Sequence, residues 1–344
     1  NNRVLVTQGM QRIRGGKLTP RLRALFAAAG REPARATSFA SATKPWLSVI
    51  EAPGRTLPVR VFSDRELPIS ASSKAGLTAR GATLHEHHVG EVPAARPDVL
   101  TIWVQSERFV GDLRTHRADA VCFCVPGGGV LLVRDGARIP AAPIQLIRKR
   151  TVSALLAADA RAELARAIGQ PLTEDPVASE QHCTQALQAL FPHVARAFYT
   201  CTGLAAEAAV FAAVGETLGP EPVTLFYAQN GYGGTGQLLT EVLAPQGRLL
   251  PAPLPVIDVD ANGRARTLVD GIIARLAQLH QQPACIFVET PTNPELQVHD
   301  FAALMTAVRH YAERTGHRVP VLVDTTLAPL YPVFAHPWAK DWPF

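Results

Sequence analysis

The sequence contains little lysine, and its few lysines are unevenly distributed. Of the 34 Lys and Arg residues in the 344-residue chain, only five are lysines, and none lies between Arg150 and Ala339. The five are Lys17, Lys44, Lys74, Lys149 and Lys340. Any chemistry in the second half of the chain that needs an amine side chain therefore has Lys340 alone to supply it.

Long apolar runs and a secretory signal are also missing. No apolar run reaches the ~18 residues that a membrane-spanning helix needs. The opening NNRVLVTQGM lacks the apolar segment of a signal peptide. These absences exclude an integral membrane protein and predict a cytoplasmic one. A composition of 47% hydrophobic and 18% charged residues favours a buried core over disorder.

Cysteine is sparse, and its number is odd. The five cysteines do not suggest a disulfide framework. Cys122 and Cys124 lie in the apolar run AVCFCV, where a strand would put both thiols on one face. No second Cys or His pair stands at zinc-site spacing. We therefore expect buried free thiols rather than a metal site.

Charge divides the chain into two halves. Residues 1–150 contain 23 Lys and Arg against 11 Asp and Glu, whereas residues 151–344 contain 11 against 18. This net charge of +12 followed by −7 indicates two differently built regions rather than one nucleic-acid binder. We predict a basic, partly β N-terminal region at 1–150, of unknown role, and a second domain at 151–344.

The N-terminal region has strand-like runs and one histidine cluster. VLTIWV (99–104), AVCFCV (120–125) and VLLV (130–133) predict strands. The glycines at 127–129 could form a phosphate loop, but a second strand follows them, which favours a hairpin turn. His85, His87 and His88 either ligate a metal or form an exposed polar turn, and the absence of a third convincing ligand position favours the turn.

The second region alternates between helix and strand. Helices are predicted at 151–169, 180–191, 204–219, 237–247, 267–282 and 300–317, with Asp300 as the N-cap of the last. Strands are predicted at 195–203, 223–228, 284–290 and 319–324. This order is typical of an α/β fold with a mainly parallel sheet. The loops after residues 289 and 324 should then meet at the carboxyl edge of the sheet, where such sheets bind ligands.

Candidate binding residues lie in the loops that follow these strands. Thr202, Gly203 and Leu204 begin an apolar helix, whose N-terminus suits an anion such as phosphate. Tyr232 stands among glycines in NGYGGT, as either a plate for a flat ligand or part of a flexible turn. Asn293 lies in the rigid turn ETPTNP. Asp324 ends a buried strand, and it either pairs with a cation or caps the next turn.

These four elements together resemble the Cys/Met-metabolism family of pyridoxal-phosphate (PLP) enzymes, the cystathionine γ-synthase-like or transsulfuration family, over residues 180–335. CTGLAA resembles the family's phosphate loop, NGYGGT its Leu-Tyr-Gly-Gly-Thr, ETPTNP its Glu-Ser-Pro-Thr-Asn-Pro and VLVDTT its Val-Val-Asp-Asn-Thr. The resemblance implies the large domain of a fold-type I PLP-dependent transferase.

The resemblance also implies roles for individual residues. Thr202, Gly203 and Leu204 would bind the cofactor phosphate, and Tyr232 would stack on the pyridine ring. Asn293 would contact the ring hydroxyl and Asp324 would hold the ring nitrogen, with Thr326 beside it. Such enzymes use the ring as an electron sink, which a buried carboxylate on the ring nitrogen supports.

The sequence departs from the family pattern at the catalytic lysine. The family forms a Schiff base through a lysine in a Ser-x-x-Lys loop, one strand beyond the aspartate strand. Lys340 precedes that strand position, so we do not assign it this role. We expect the catalytic lysine beyond Phe344 and interpret the chain as a fragment, inactive by itself. The family's upstream Tyr-Ser-Arg segment also has no clear counterpart here.

The resulting functional hypothesis is a lyase or transferase of sulfur amino-acid metabolism that acts by β- or γ-elimination or replacement. Its expected partners are a small amino-acid substrate and further copies of itself, with no nucleic acid and no membrane. The rival hypothesis is a non-catalytic homologue that acts as a scaffold or regulator. A further alternative makes the N-terminal region a metal- or small-molecule-binding module.

Overall fold

The chain forms two compact units, residues 1–176 and 177–344. The structure is a computed structural model, and it describes residues 35–106, 116–125, 127–155, 159, 180–191 and 196–330. The predicted domain boundary at 150/151 lies at the end of a helix of the first unit, and the position of the boundary stays a prediction. Lys340 lies outside the described residues, and so do residues 21–30, where the sequence RLRALFAAAG predicts a short helix.

The first unit contains a six-stranded mixed sheet. Its strands are β1 (Arg35–Phe39), β2 (Val59–Ser63), β3 (Ala82–His85), β4 (Leu100–Gln105), β5 (Ala120–Val125) and β6 (Gly128–Val133), in the spatial order β1-β6-β5-β4-β2-β3. Its helices are α1 (Lys44–Ile50), α2 (Ala71–Ala79) and α3 (Ala141–Thr151). Strands β3, β2, β4 and β5 run parallel, whereas β6 pairs antiparallel with both β5 and β1.

The glycines at 127–129 form the predicted hairpin. Val125 and Gly128 pair across it, and Gly127 has a φ of +73°, which glycine adopts without strain. A Cβ on Gly128 would lie only 1.9 Å from the backbone oxygen of Phe39 in β1. The second glycine is therefore needed for the close approach of β1, and no helix follows that could make the loop a phosphate site.

The predicted helix over 151–169 is wrong at its start. Thr151 is the last residue of α3, and residues 152–155 are not helical. Asp159 is helical, as predicted, and residues 156–158 and 160–169 lie outside the described part of the chain. α3 itself is not predicted by local signals, because its first helical residues AAPIQ have no side-chain cap and contain a proline.

The second unit is built on a parallel sheet, as predicted. Strands β7 (Val223–Ala228), β8 (Leu249–Leu254), β11 (Ala284–Glu289) and β12 (Val321–Asp324) have the spatial order β12-β11-β7-β8. All three pairs of neighbours are parallel. A separate short hairpin joins β9 (Ile257–Val259) to β10 (Ala265–Thr267). The predicted α/β class with a mainly parallel sheet is confirmed.

The helices described for this unit include two that precede β7 and three that lie between its strands. They are α4 (Glu180–Leu190), α5 (Gly203–Thr217), α6 (Gly233–Gln237), α7 (Leu268–Gln278) and α8 (Phe301–Thr315). A π-helical turn, Leu238–Leu243, and a 3₁₀ turn, Ala244–Gln246, extend α6. The predicted N-cap of α8 is confirmed, since the Asp300 carboxylate accepts a hydrogen bond from the Ala303 N–H at 2.9 Å.

The core of the second unit lies between the sheet and helices α7 and α8. Ile286, Val288, Ile272 and Leu304 are completely buried in it. Helices α7 and α8 present their apolar stripes to this layer, as the spacing of Leu268, Ile272 and Leu276 predicts. The core therefore fixes the sheet, and with it the edge at which the strands end.

Candidate functional site

Two strand ends with carboxylates meet at the carboxyl edge of the second sheet. Glu289 closes β11 and Asp324 closes β12, and the two are direct neighbours in the parallel register. The Thr290 N–H donates to the Asp324 backbone oxygen at 2.9 Å, so pairing continues beyond the strand. The prediction that the loops after 289 and 324 share one edge is confirmed.

Glu289 is the most buried of the carboxylates at this edge, with 5% exposure. Its Oε1 accepts from the Tyr232 N–H at 2.8 Å and its Oε2 from the Asn293 N–H at 3.3 Å. Burial raises its pKa, and the nearby Asp324 carboxylate raises it further, against these two backbone donors. Glu289 therefore ties the tyrosine loop to the ETPTNP turn.

Glu207 faces the same region from α5. The Thr235 hydroxyl donates to its Oε2 at 2.8 Å. Burial raises the pKa of Glu207 to about 7, and the Asp324 and Glu289 carboxylates add to the rise. Three coupled acidic side chains thus share one edge of the sheet.

Asp324 is held by the residues that follow it. Its Oδ1 accepts from the Thr326 N–H at 2.8 Å and from the Thr326 hydroxyl at 2.5 Å. Within the described residues, no donor lies within hydrogen-bonding distance of its Oδ2. The carboxylate thus caps its own turn through one oxygen, as one interpretation predicts, and keeps the other oxygen available for a ligand.

Tyr232 lies beside this cluster with 47% of its surface exposed. A Cβ on Gly234 would lie 2.4 Å from the Tyr232 ring, and a Cβ on Gly231 would lie 2.7 Å from Glu289 Oε1. The flanking glycines therefore allow close packing of the ring and of Glu289. The predicted loop over 229–236 is wrong in its second half, because α6 begins at Gly233.

Thr202, Gly203 and Leu204 form the N-terminus of α5, as predicted. The Thr202 hydroxyl oxygen caps the helix by accepting from the Ala205 N–H at 3.1 Å. The strand predicted over 195–203 is wrong, because residues 196–202 form no strand. Phe198 is 84% exposed, and the Thr200 hydroxyl donates to the Thr202 backbone oxygen at 2.9 Å, so the chain turns here instead of pairing.

Asn293 lies in a turn between two cis X-Pro bonds, Thr290–Pro291 and Asn293–Pro294. Thr292 is completely buried in this turn, and its hydroxyl accepts from the Gln297 N–H at 3.0 Å. The Nε2 of His299 lies 2.9 Å from the Glu289 backbone oxygen, and burial lowers the pKa of His299. These contacts hold the backbone on both sides of Asn293.

The three charged side chains described at this edge are all acidic. In the part of the chain that the structure describes, Glu207, Glu289 and Asp324 form no ion pair with a Lys, Arg or His. Grouped carboxylates favour a cation, and Asp324 offers one open oxygen for it. Together with an exposed aromatic ring and a helix N-terminus, this set suits a planar ligand that bears a cationic ring nitrogen and an anionic group.

The sequence analysis assigned no role to Glu207, Glu289 or His299. Glu207 gave a usable signal, since it and Glu216 are the only charged residues of α5. Glu289 was visible as the first residue of the ETPTNP turn. His299 gave none, because its contact with β11 depends on how the chain returns after that turn.

The histidine and cysteine candidates lie in the first unit. His85 stacks on Phe62 with ring centroids 4.4 Å apart, and His88 meets the edge of the same ring at 4.9 Å. Cys122 is buried, and burial raises the pKa of its thiol. No group of three or more His, Cys, Asp or Glu side chains that could hold a metal occurs among the described residues.

None of the helices described is long and apolar enough to cross a membrane.

Comparisons with known proteins found a family match for the second unit. Residues 179–340 match the sequence model of the family described as "Cys/Met metabolism PLP-dependent enzyme". A search of curated proteins found no match.

Similar solved structures were found, each with 23% identity. The metB structure from Corynebacterium glutamicum has a TM-score of 0.30, covering 42% of this chain and 31% of that one. The structure of cystathionine gamma-lyase from Lactobacillus plantarum, complexed with L-serine, has a TM-score of 0.26, covering 36% of this chain and 27% of that one. The structure of O-acetylhomoserine sulfhydrylase from Wolinella succinogenes has a TM-score of 0.34, covering 46% of this chain and 39% of that one. The chain therefore spans less than two fifths of these structures, and the family match rather than this partial likeness supports the assignment.

The predicted resemblance, made for residues 180–335, is thus confirmed over nearly the same range. The family is PLP-dependent. The Asp324 carboxylate, whose Oδ2 has no donor among the described residues, fits the charge of a protonated ring nitrogen. Whether Thr202, Gly203, Leu204, Tyr232, Asn293, Asp324 and Thr326 bind the cofactor stays a prediction. Residues 179–340 of this chain are therefore similar to the Cys/Met metabolism family of PLP-dependent enzymes.

Proposed function

We propose that the second unit binds PLP at the carboxyl edge of its sheet. We further propose that the whole protein acts on a sulfur-containing or O-acylated amino acid by β- or γ-elimination or replacement. The family match over residues 179–340 supports the cofactor and the reaction class. The observation that carries the proposal is the meeting of Asp324 and Glu289 at neighbouring strand ends without a cationic partner among the described residues.

Asp324 is the residue proposed to bind the ring nitrogen. Thr326 holds Oδ1 of the carboxylate in place, so Oδ2 can accept a hydrogen bond from the ring N–H while the turn stays intact. A carboxylate at this position keeps the ring nitrogen protonated. When bound, PLP supplies an electron sink for a carbanion formed beside its imine.

Other residues are proposed to position the ring. The Tyr232 side chain offers a flat apolar face, and its backbone N–H is fixed by Glu289 at 2.8 Å. The N-terminus of α5, at Thr202 to Leu204, provides the N–H groups of the first helical turn and the positive end of a helix dipole for the phosphate. Asn293 provides an amide at the turn next to Glu289.

One observation favours the rival, non-catalytic homologue. The sequence has no lysine from residue 151 to residue 339. We expect borohydride treatment of the chain with PLP to leave no stable adduct on Lys340. Peptide mapping by mass spectrometry would detect such an adduct, and its presence would give Lys340 the catalytic role that we withhold.

The binding proposal is tested with 4′-deoxypyridoxine 5′-phosphate, which has the ring and the phosphate but no aldehyde. Because the probe has no aldehyde, it forms no Schiff base with any of the five lysines, and the binding signal reports the non-covalent site alone. We expect titration calorimetry to show at least tenfold weaker binding for Asp324→Asn, because the substitution removes the charge that pairs with the ring nitrogen. Asp258→Asn is the matched control, because it removes an exposed carboxylate of the same unit.

Tyr232 provides a second arm of the test. Tyr232→Phe keeps the ring and should bind the probe as the wild type does, whereas Tyr232→Ala should weaken binding severalfold. Equal affinity of the wild type and Asp324→Asn, with the control unchanged, would overturn the ring-nitrogen assignment. Absence of any binding at millimolar probe would overturn the cofactor proposal for this chain.

The cellular setting of the whole protein is a further proposal. We propose that the whole protein is a cytoplasmic homo-oligomer that acts on a small amino acid. Sedimentation velocity of the chain would measure its oligomeric state directly.

A further inference from the structure

The first unit has a cavity that the proposed function does not use. It has a volume of about 420 Å³ and lies at the amino ends of β2 and β4. One wall is the segment before β2, and the other is the segment before α3, residues 137–140. This volume lies within the range of small-molecule sites in proteins.

Two arginines provide the charged part of the lining. Arg55 contributes from the first wall and Arg138 from the second, and no acidic side chain lines the cavity among the described residues. The cavity is therefore a concave surface with positive charge on two sides.

Arg55 is fixed in its place by the backbone. Its Nε donates to the Ile50 oxygen at 3.0 Å, one terminal nitrogen donates to the Leu57 oxygen, and the other donates to the Arg80 oxygen at 2.7 Å. A guanidinium has five N–H donors, so these three bonds leave two donors unused. The group is thus oriented before any ligand arrives, which reduces the entropy lost on binding.

Arg55 is also an uncompensated cation. Burial lowers its pKa, and the positive charge of Arg80 lowers it further. No carboxylate forms an ion pair with Arg55 within the described ranges. An anion between the walls would relieve this repulsion.

Arg138 faces the cavity with a free guanidinium. It is exposed, and in the described part of the chain it forms no hydrogen bond and no ion pair. The two arginines therefore differ: Arg55 is held by three backbone oxygens, whereas Arg138 is exposed.

Apart from Thr56, the other side chains of the lining are apolar. Leu57, Leu100 and Ile139 line the cavity, and Leu100 and Ile139 are almost fully buried. Inorganic ions alone would not use this surface. Leu57 and Pro140 remain accessible to a ligand. We propose that the cavity binds a small organic anion, whose phosphate or carboxylate group pairs with Arg55 and Arg138 while its apolar body contacts Leu57 and Pro140.

The test uses the full chain with four probes: phenyl phosphate, benzoate, inorganic phosphate and phenol. We expect titration calorimetry to detect phenyl phosphate or benzoate at millimolar concentration or below, and whichever of the two binds more tightly identifies the anionic group. Inorganic phosphate should bind at least fivefold more weakly than phenyl phosphate, because it lacks the apolar body. Phenol should not bind, because it lacks the charge.

Substitutions then locate the site. Arg138→Gln should weaken binding of the better probe at least fivefold. Lys149→Gln is the matched control, because it removes one exposed positive charge of the same unit from a residue that does not line the cavity. Circular dichroism should show both variants folded, since both side chains are exposed.

Three results would overturn the proposal. They are an affinity of Arg138→Gln equal to that of the wild type, equal weakening by Lys149→Gln, and no binding of either aromatic anion. Asp324→Asn should leave phenyl phosphate binding unchanged, and Arg138→Gln should leave 4′-deoxypyridoxine 5′-phosphate binding unchanged. The arginine cavity and the proposed cofactor site can therefore fail separately.

Discussion

Glu207 shows at the scale of one residue how the fold changes a side chain's chemistry. A glutamate on an exposed helix face would ionise near pH 4.5, but burial beside Asp324 and Glu289 raises its pKa to about 7. The folded state therefore holds a proton that the unfolded chain releases. The sequence alone shows Glu207 as one of two charged residues in an alanine-rich helix.

This proton affinity predicts how stability depends on pH. Between pH 4.5 and pH 7 the folded state binds more protons than the unfolded state, so the free energy of unfolding falls as the pH rises. Glu207→Gln cannot ionise and should escape this loss. We expect the variant to gain up to about 3 kcal/mol over the wild type at pH 8, and little near pH 4.5.

Urea denaturation at the two pH values measures this difference. Glu216→Gln is the matched control, because Glu216 lies on the same helix but is exposed. A gain of the same size at both pH values would point to better packing of the amide and not to ionisation.

Gly231 gives a second prediction at the residue scale. A Cβ on Gly231 would lie 2.7 Å from Glu289 Oε1, whereas a Cβ on Gly233 would have no neighbour within 4 Å. Gly231→Ala should therefore displace Glu289 and lower the free energy of unfolding by about 1–3 kcal/mol. Gly233→Ala should be neutral or slightly stabilising, because it lies at the start of α6.

The urea midpoints of the two glycine variants measure this contrast. If Gly231→Ala were as stable as Gly233→Ala, the close packing of the tyrosine loop on Glu289 would be contradicted.

At the scale of the element, local signals predicted the cap of α8. Asp300 accepts from the Ala303 N–H at 2.9 Å. Asp300→Ala should therefore lower the free energy of unfolding by about 1 kcal/mol. Asp300→Asn keeps an oxygen that can cap the helix and should lose much less. Equal losses in chemical denaturation would mean that the charge, and not the hydrogen bond, stabilises the helix end.

Elements that depend on distant partners were predicted less well. The apolar run ARAFYTCTG looked like a strand, but no neighbouring strand pairs with it, and Phe198 stays exposed. β8 was missed because its prolines, at 251 and 253, argue against a strand by local rules. It lies at the edge of the sheet, where a missing N–H donor costs little.

At the scale of the whole molecule, each unit has a hydrophobic core of its own. Ile286 is completely buried in the second unit, and Val61 is completely buried in the first. Ile286→Ala should lower the free energy of unfolding of the second unit by about 2–5 kcal/mol, and Ile286→Val by about 1 kcal/mol.

Hydrogen exchange followed by mass spectrometry measures the loss region by region. We expect faster exchange in β7, β11 and β12 for Ile286→Ala, and in β2 and β4 for Val61→Ala. Faster exchange throughout both units for either variant would contradict the division at residue 176.

The sequence by itself determined the parallel α/β architecture of the second unit, the family to which residues 179–340 are similar, and the loops that hold the candidate residues. These depend on periodicity and short motifs, which act over a few neighbours in the chain. Only the tertiary structure decided that Glu207 joins Glu289 and Asp324, and that Arg55 and Arg138 face one cavity. Burial and charge coupling arise between segments far apart in the chain, so no local pattern reports them.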